Sequence, residues 1–213
     1  MADSRSAFSY GEVWSRIYGL SQRLQELGVT RERCVAVECS QNAGYMICEF
    51  AIQLLGGIFV PIEKNAAAGR LAEILGDTQA VLYIGKDPAK LSAALDTIQT
   101  SCGPSQHSAT PGFMDISRAA DFAYAPEDIP PPGEMLFPEA QQTAEILFST
   151  GTTGKSKGIV LTHGNDMAIA ENVMCGVGMK KDNVELIPMP LSHSHGLRRT
   201  YANMVNGSAA VFS

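Results

Sequence analysis

The run Ser149-Thr150-Gly151-Thr152-Thr153-Gly154-Lys155-Ser156-Lys157-Gly158 combines three glycines, a series of hydroxyl side chains and two lysines, with no acid among them. Glycine lets backbone N–H groups turn inward with no Cβ in the way, and hydroxyls add further donors. Lysine contributes a compact point charge, and oriented amides beside it form a concavity suited to anions. The chemistry this stretch offers is the grip of phosphate. Ala144-Glu145-Ile146-Leu147-Phe148 ahead of it reads as a buried strand, and Ile159-Val160-Leu161 behind it as a second. Thr162 stands where it could cap a following helix.

Two other readings compete. Gly154-Lys155-Ser156 matches the end of a Walker A loop, G-x-x-x-x-G-K-[ST], but the first glycine position holds Ser149. A Walker loop also runs straight into a helix, whereas three strand-like residues intervene here. The third possibility is a plain surface turn, which seldom runs this long while concentrating lysines and excluding acids.

The segment from Phe148 to His163 resembles the phosphate-loop signature of the acyl-adenylate-forming enzymes, roughly [ST]-[ST]-G-T-T-G-x-P-K-G. That superfamily includes acyl- and aryl-CoA ligases, peptide-synthetase adenylation domains and luciferases. The chain departs from the pattern at Ser156, where proline is usual; serine leaves φ free but removes no donor. The resemblance implies that Ser149, Thr150, Gly151, Thr152, Thr153, Gly154 and Lys157 hold the β- and γ-phosphates of ATP.

A second constellation, Ile187-Pro188-Met189-Pro190-Leu191-Ser192-His193-Ser194-His195-Gly196-Leu197, is similar to the next motif of CoA ligases, P-L-[FS]-H-x-x-G. By that likeness His193 lies near the bound carboxylate and shapes access for the thiol acceptor, which favours a CoA ligase over amino-acid adenylation. His193 and His195 could instead ligate a metal, but no Cys, Asp or Glu stands nearby to complete a site. No residue is assigned as a metal ligand. A helix starting near His195 would make Ser192 or Ser194 an ordinary cap, and would leave Arg198-Arg199 on a solvated face.

Several elements must hold these motifs. Ser9 and Glu12 form a capping-box pattern, and Val13, Ile17, Leu20, Leu24 and Leu27 recur at helical spacing up to Gly28. Cys34 to Cys39 reads as a strand, Asn42 to Leu55 as a helix stopped by Gly56-Gly57, and Ile58 to Ile62 as a strand with Pro61 near its end. Arg70 to Leu75 gives a short helix, Ala80 to Ile84 a strand, and Pro88 to Ile98 another helix. Thr100 to Gln142 reads as a mostly irregular connection with one strand at Phe113 to Ile116. Helices alternating with short apolar strands predict an α/β fold built on mainly parallel sheets flanked by helices.

Composition fits that class. With 213 residues the chain can bury roughly 70% of its unfolded surface. A net charge of −6 with no basic cluster argues against nucleic acid as a partner. The most apolar window, Ile47 to Val60, contains Glu49 and Gln53 and is too short to span a bilayer. Five cysteines form no C-x-x-C pair, and Cys34 and Cys39 lie in a strand-like run, so reduced thiols and a cytoplasmic location are expected.

The resemblance further implies ATP, Mg2+ and CoA, or a carrier-protein thiol in place of CoA, acting on a carboxylic acid. The acid would attack the α-phosphate, pyrophosphate would leave, and the acyl group would pass to the thiol, with Lys157 and His193 as the catalytic side chains. The family's downstream Tyr-Gly-x-Thr-Glu motif, ribose-binding aspartate and C-terminal lysine have no counterpart before Ser213. Residues 1–213 are therefore expected to be the first portion of the large N-terminal domain, with little turnover alone. About four charge-assisted loop bonds at ~1.5–3 kcal/mol each must overcome an association cost of ~4–15 kcal/mol. The rivals are a non-catalytic module that keeps the fold for binding and, more distantly, a P-loop NTPase.

Overall fold

The computed structural model describes residues 1–3, 6–102, 110–149 and 157–213, with the backbone alone for 101–102. A six-stranded sheet runs in the order β4-β3-β1-β2-β5-β6. Its strands are β1 (Cys34–Glu38), β2 (Ile58–Ile62), β3 (Leu82–Gly85), β4 (Gly112–Asp115), β5 (Thr143–Ser149) and β6 (Lys157–Thr162). All neighbours pair in parallel except β5 and β6, which are antiparallel. A second, two-stranded parallel sheet joins β7 (Val184–Ile187) and β8 (Ala209–Phe212). The mainly parallel α/β class expected from the sequence is the one observed.

Alternation along the central strands deals side chains to two cores. Val35, Val37, Phe59, Leu82 and Ile84 enter one, with residues of helices α1 (Tyr10–Glu26) and α2 (Ala43–Leu54). Ala36, Val60, Ile62 and Tyr83 enter the other, against α3 (Ala68–Thr78) and α4 (Pro88–Cys102). A strand covered on both faces has no solvent side, which is why β1 is buried along its whole length. Helices α5 (His163–Gly176) and α6 (Ser194–Asn206) pack together, and Ala170, Leu197 and Tyr201 extend the first core.

Local signals explain the boundaries. In α1, Glu12 N–H donates to Ser9 Oγ (3.3 Å) and Ser9 N–H to Glu12 Oε2 (2.8 Å), closing the capping box. Asn42 caps α2 through Tyr45 N–H (3.0 Å). Helix α3 begins at Ala68, earlier than Arg70, with no side-chain cap to mark its start, and α4 runs past Ile98 to Cys102. Pro61 lies in a central strand, but β2 and β5 share only the pair Phe59–Glu145, so the ladder on that side stops before its missing N–H matters.

The segment between β4 and β5 is irregular apart from short 3-10 turns, as expected, yet it is firmly docked. Tyr124 N–H donates to Ser15 Oγ (2.9 Å), Ser15 Oγ donates to Tyr124 O (2.5 Å), and the Tyr18 and Tyr124 rings meet edge to face. Gly19 makes the approach possible: a Cβ there would come within 1.9 Å of the Phe122 carbonyl oxygen. Gly19→Ala is expected to lower stability by about 1–3 kcal/mol, the scale of an overpacked core. Urea denaturation measures this, and an unchanged midpoint would show that the connection can shift aside.

Candidate active site

The phosphate-grip motif rests on an antiparallel hairpin. Phe148 pairs with Gly158 and Ser149 with Lys157, so the loop between them starts and ends at one pair of facing residues. Thr150, Gly151, Thr152, Thr153 and Gly154 lie outside the described residues, with Lys155 and Ser156. Ser149 and Lys157 are exposed at the loop's base, and among the described residues Lys157 has no acid within salt-bridge reach. Both strands are less covered than the sequence suggests. In β5 only Ala144 and Glu145 are buried, and in β6 Ile159 and Val160 are 50% and 57% exposed.

Thr162 caps α5 as expected, with Asn165 completing a capping box. That helix begins directly at the far end of β6.

His193 is the N-cap of α6 and is exposed; neither Ser192 nor Ser194 caps the helix. It lines a cavity of about 430 Å3 with Gln41, Lys64, Asn65, Pro190 and Ser192. Ser192 also lines a narrow neighbouring crevice with Phe148 and Arg70, whose guanidinium lies 5.6 Å over the Phe148 ring. The two motifs, separated in sequence, therefore border adjoining spaces.

Gln41 holds the His193 segment in place. Its Nε2 donates to the carbonyls of Ile187 (3.0 Å) and Met189 (2.8 Å), and its Oε1 accepts from Leu191 N–H (3.1 Å). All three amide positions of one side chain are thus spent on five residues of backbone. Gly196 allows the tight pass that follows, since a Cβ there would lie 2.6 Å from Pro190 O. Nothing local in the sequence marks Gln41, whose partners are about 150 residues away.

Behind the site is a buried charge cluster. Arg198, expected on a solvated face, is instead buried and pairs with Glu145 of β5 and, at 3.0 Å, with Asp166 of α5. Its guanidinium also lies 5.5 Å over the Tyr201 ring. Tyr201 Oη donates to Glu49 Oε1 of α2 (2.6 Å) and accepts from Gln53 Nε2 (2.7 Å). Arg199 is half-buried and pairs with Glu185 of β7. Burial pushes Glu49 up to about 8, reinforced by the Asp166 charge, and pushes Asp166 up to about 7. One guanidinium cannot neutralise three buried carboxyls, so the cluster keeps protons near neutral pH.

Among the described residues no three His, Cys, Asp or Glu side chains stand close enough to hold a metal ion. The described part of the chain thus offers Mg2+ no cage of its own. Among the described residues, too, no helix is long and apolar enough to cross a membrane.

A mainly parallel sheet with an antiparallel β5–β6 hairpin beside a histidine-capped helix is the fold of the N-terminal domains of adenylate-forming ligases. The chain belongs to the AMP-binding enzyme family, whose model matches residues 1–213. It is 28% identical over 205 residues to human malonate–CoA ligase ACSF3, mitochondrial, covering 92% of this chain and 33% of that protein. Bacitracin synthase 3 of Bacillus licheniformis is 24% identical over 200 residues, covering 94% of this chain and 3% of the synthase. Apo MatB from Rhodopseudomonas palustris has a TM-score of 0.81 at 20% identity, covering 99% of this chain and 41% of that structure; its ATP-bound form scores 0.80. The chain spans about a third of the length of the human ligase it matches.

The cluster's proton linkage has a definite sign. Glu49 and Asp166 hold protons in the folded chain that the unfolded chain releases in the ordinary carboxylate range. Their contribution to stability is full below that range and is lost as pH rises through about 7 and about 8. Urea midpoints taken from pH 5 to pH 8.5 should fall across that window, and Glu49→Gln should flatten part of the fall. Parallel profiles for the two proteins would contradict this.

Proposed function

We propose that the protein activates a carboxylic acid with ATP to an acyl-adenylate and then transfers the acyl group to a thiol, most simply that of CoA. The observation that carries this reading is the hairpin register, which sets Ser149 opposite Lys157 beneath a glycine-threonine loop. In the first step a carboxylate oxygen bonds to the α-phosphorus of ATP and the bond to pyrophosphate breaks. In the second, the thiol sulfur bonds to the acyl carbon and AMP leaves.

Ser149, the backbone and hydroxyl donors of Thr150 to Gly154, and Lys157 would hold the departing pyrophosphate and meet the charge that develops on it. His193 would border the acyl group and the path of the thiol. Mg2+, which keeps several waters and binds mainly through substrate phosphates, would arrive with ATP. ATP-bound MatB among the fold neighbours supports nucleotide binding by this architecture.

A specific feature favours CoA over a carrier protein. A crevice of about 380 Å3 shares Gln41 and Lys64 with the His193 cavity and adds Lys86. Two ammonium groups there, partly offset by Asp3 in the same lining, suit the phosphate-bearing end of CoA. Carrier thiols remain an alternative acceptor, given the peptide synthetase among the relatives. The expected cytoplasmic location rests on buried, free Cys34, Cys39 and Cys48, which suit a mitochondrial matrix as well.

The test is carboxylate-dependent ATP–pyrophosphate exchange by the protein in its full length, with malonate included in a broad acid panel. Lys157→Ala should lower the exchange rate about 10²-fold, the scale of losing one preorganised donor. Its urea midpoint should not move, since the side chain is exposed. Wild-type exchange in the variant, or none in the parent with any acid, would count against the reading. The second result together with retained ATP binding would favour the non-catalytic module.

A further inference from the structure

We infer that Arg198 is a positioning residue for this chemistry, and that its buried bridge to Glu145 fixes the distance between the phosphate hairpin and His193. The inference rests on the acid-activation reading above.

The two halves of the site hang on elements that share little backbone pairing. The hairpin is an extension of β5, which meets the rest of the sheet through the single registered pair Phe59–Glu145. His193 is the N-cap of α6, which is tied to the core through Leu197 and Tyr201 and to α5 through packing. Glu145 is four residues before Ser149, and Arg198 is five after His193. Their ion pair therefore links the strand that carries Ser149 to the helix capped by His193.

Three further observations fit positioning. Glu145 occupies the position where β2, β5 and β6 are all in register, so a shift there moves the whole hairpin. Asp166 lies in the first turn of the helix that follows β6 and comes within ion-pair distance of the same guanidinium (3.0 Å), although the guanidinium's hydrogen bond goes to Glu145. Tyr201, under Arg198, is anchored by Glu49 and Gln53 of α2, which prevents α6 from rolling. Neither Arg198 nor Glu145 is among the described residues lining the His193 cavity or the Phe148 crevice, and both side chains are buried.

A mere stabilising role predicts a lower unfolding midpoint with normal turnover per folded molecule. Positioning predicts lost turnover in folded protein, because misplacing reactants by about 1 Å can cost about 10²-fold. The experiment uses the protein in its full length and compares Arg198→Met, Arg198→Lys and Glu145→Gln in ATP–pyrophosphate exchange, well below each variant's unfolding transition. Arg198→Met should lose about 10²-fold in kcat, with KM for ATP changed less than about threefold. Arg198→Lys, which keeps the charge but not the fork, should recover part of the loss. Glu145→Gln keeps the shape and carries the test if Arg198→Met does not fold.

Amide hydrogen exchange provides an arm that needs no activity. Arg198→Met or Glu145→Gln should loosen Glu145 to Ser149 and Leu191 to His193 together, and leave α3 unchanged. Normal kcat with normal protection at both segments overturns the inference. If the parent exchanges pyrophosphate with no acid, the activation reading fails, and amide exchange alone decides the bridge: joint loosening supports it and its absence overturns it.

Discussion

The site depends on one reversal of chain direction. Five strands of the main sheet run in parallel, β1 to β4 joined by helices and β4 to β5 by the irregular segment, and only β6 runs back against its neighbour. Parallel strands need a crossover of a dozen residues or more, whereas antiparallel ones can be joined by a short turn. Because Ser149 faces Lys157, the residues between them must return the chain across one strand spacing, about 5 Å. A Walker loop would instead continue into a helix, and the strand at Lys157–Thr162 excludes that path.

The reversal places the hairpin at the edge of the sheet, where packing alone holds it weakly. Ile159 and Val160 of β6 are half-exposed on that side in a chain that spans about a third of the human ligase it matches. What compensates is buried charge. Replacing such a cluster by apolar side chains is often no less stable, but removing one partner costs about 3–5 kcal/mol because the others remain buried and unpaired. Directionality is what a guanidinium adds beyond packing: Arg198 Nη2 donates to Glu145 and so joins α6 to β5, with Asp166 of α5 at ion-pair distance. The excess of carboxyl over guanidinium in the cluster is then relieved by protonation of Glu49 and Asp166.

Much of this was legible one residue window at a time. The capping boxes at Ser9 and Thr162, the stop at Gly28, the apolar strands and the hairpin bracketing the loop are all written in neighbouring residues. The start of α3 was not, because Ala67 carries no capping group and the helix depends on burying Leu71 and Leu75. Arg-Arg after a helix start is ordinarily exposed, and nothing local sets Arg198 apart; its partner Glu145 is 53 residues away, and Tyr201 finds Glu49 across 152. Gln41 escaped for the same reason. Long-range polar contacts have no period, so only the fold reveals them. His193 in the capping position, with serines on either side, shows that a backbone turn set by Gln41 and Gly196 can override local capping preference.

The most direct test is to watch the hairpin's own amides while polyphosphate is added. In 15N-labelled protein titrated with ATP, the largest saturable shifts are predicted at the amides of Gly151, Gly154 and Gly158, with smaller ones near His193. Shifts absent from those glycines, or centred on another part of the sheet, would contradict a phosphate-gripping hairpin.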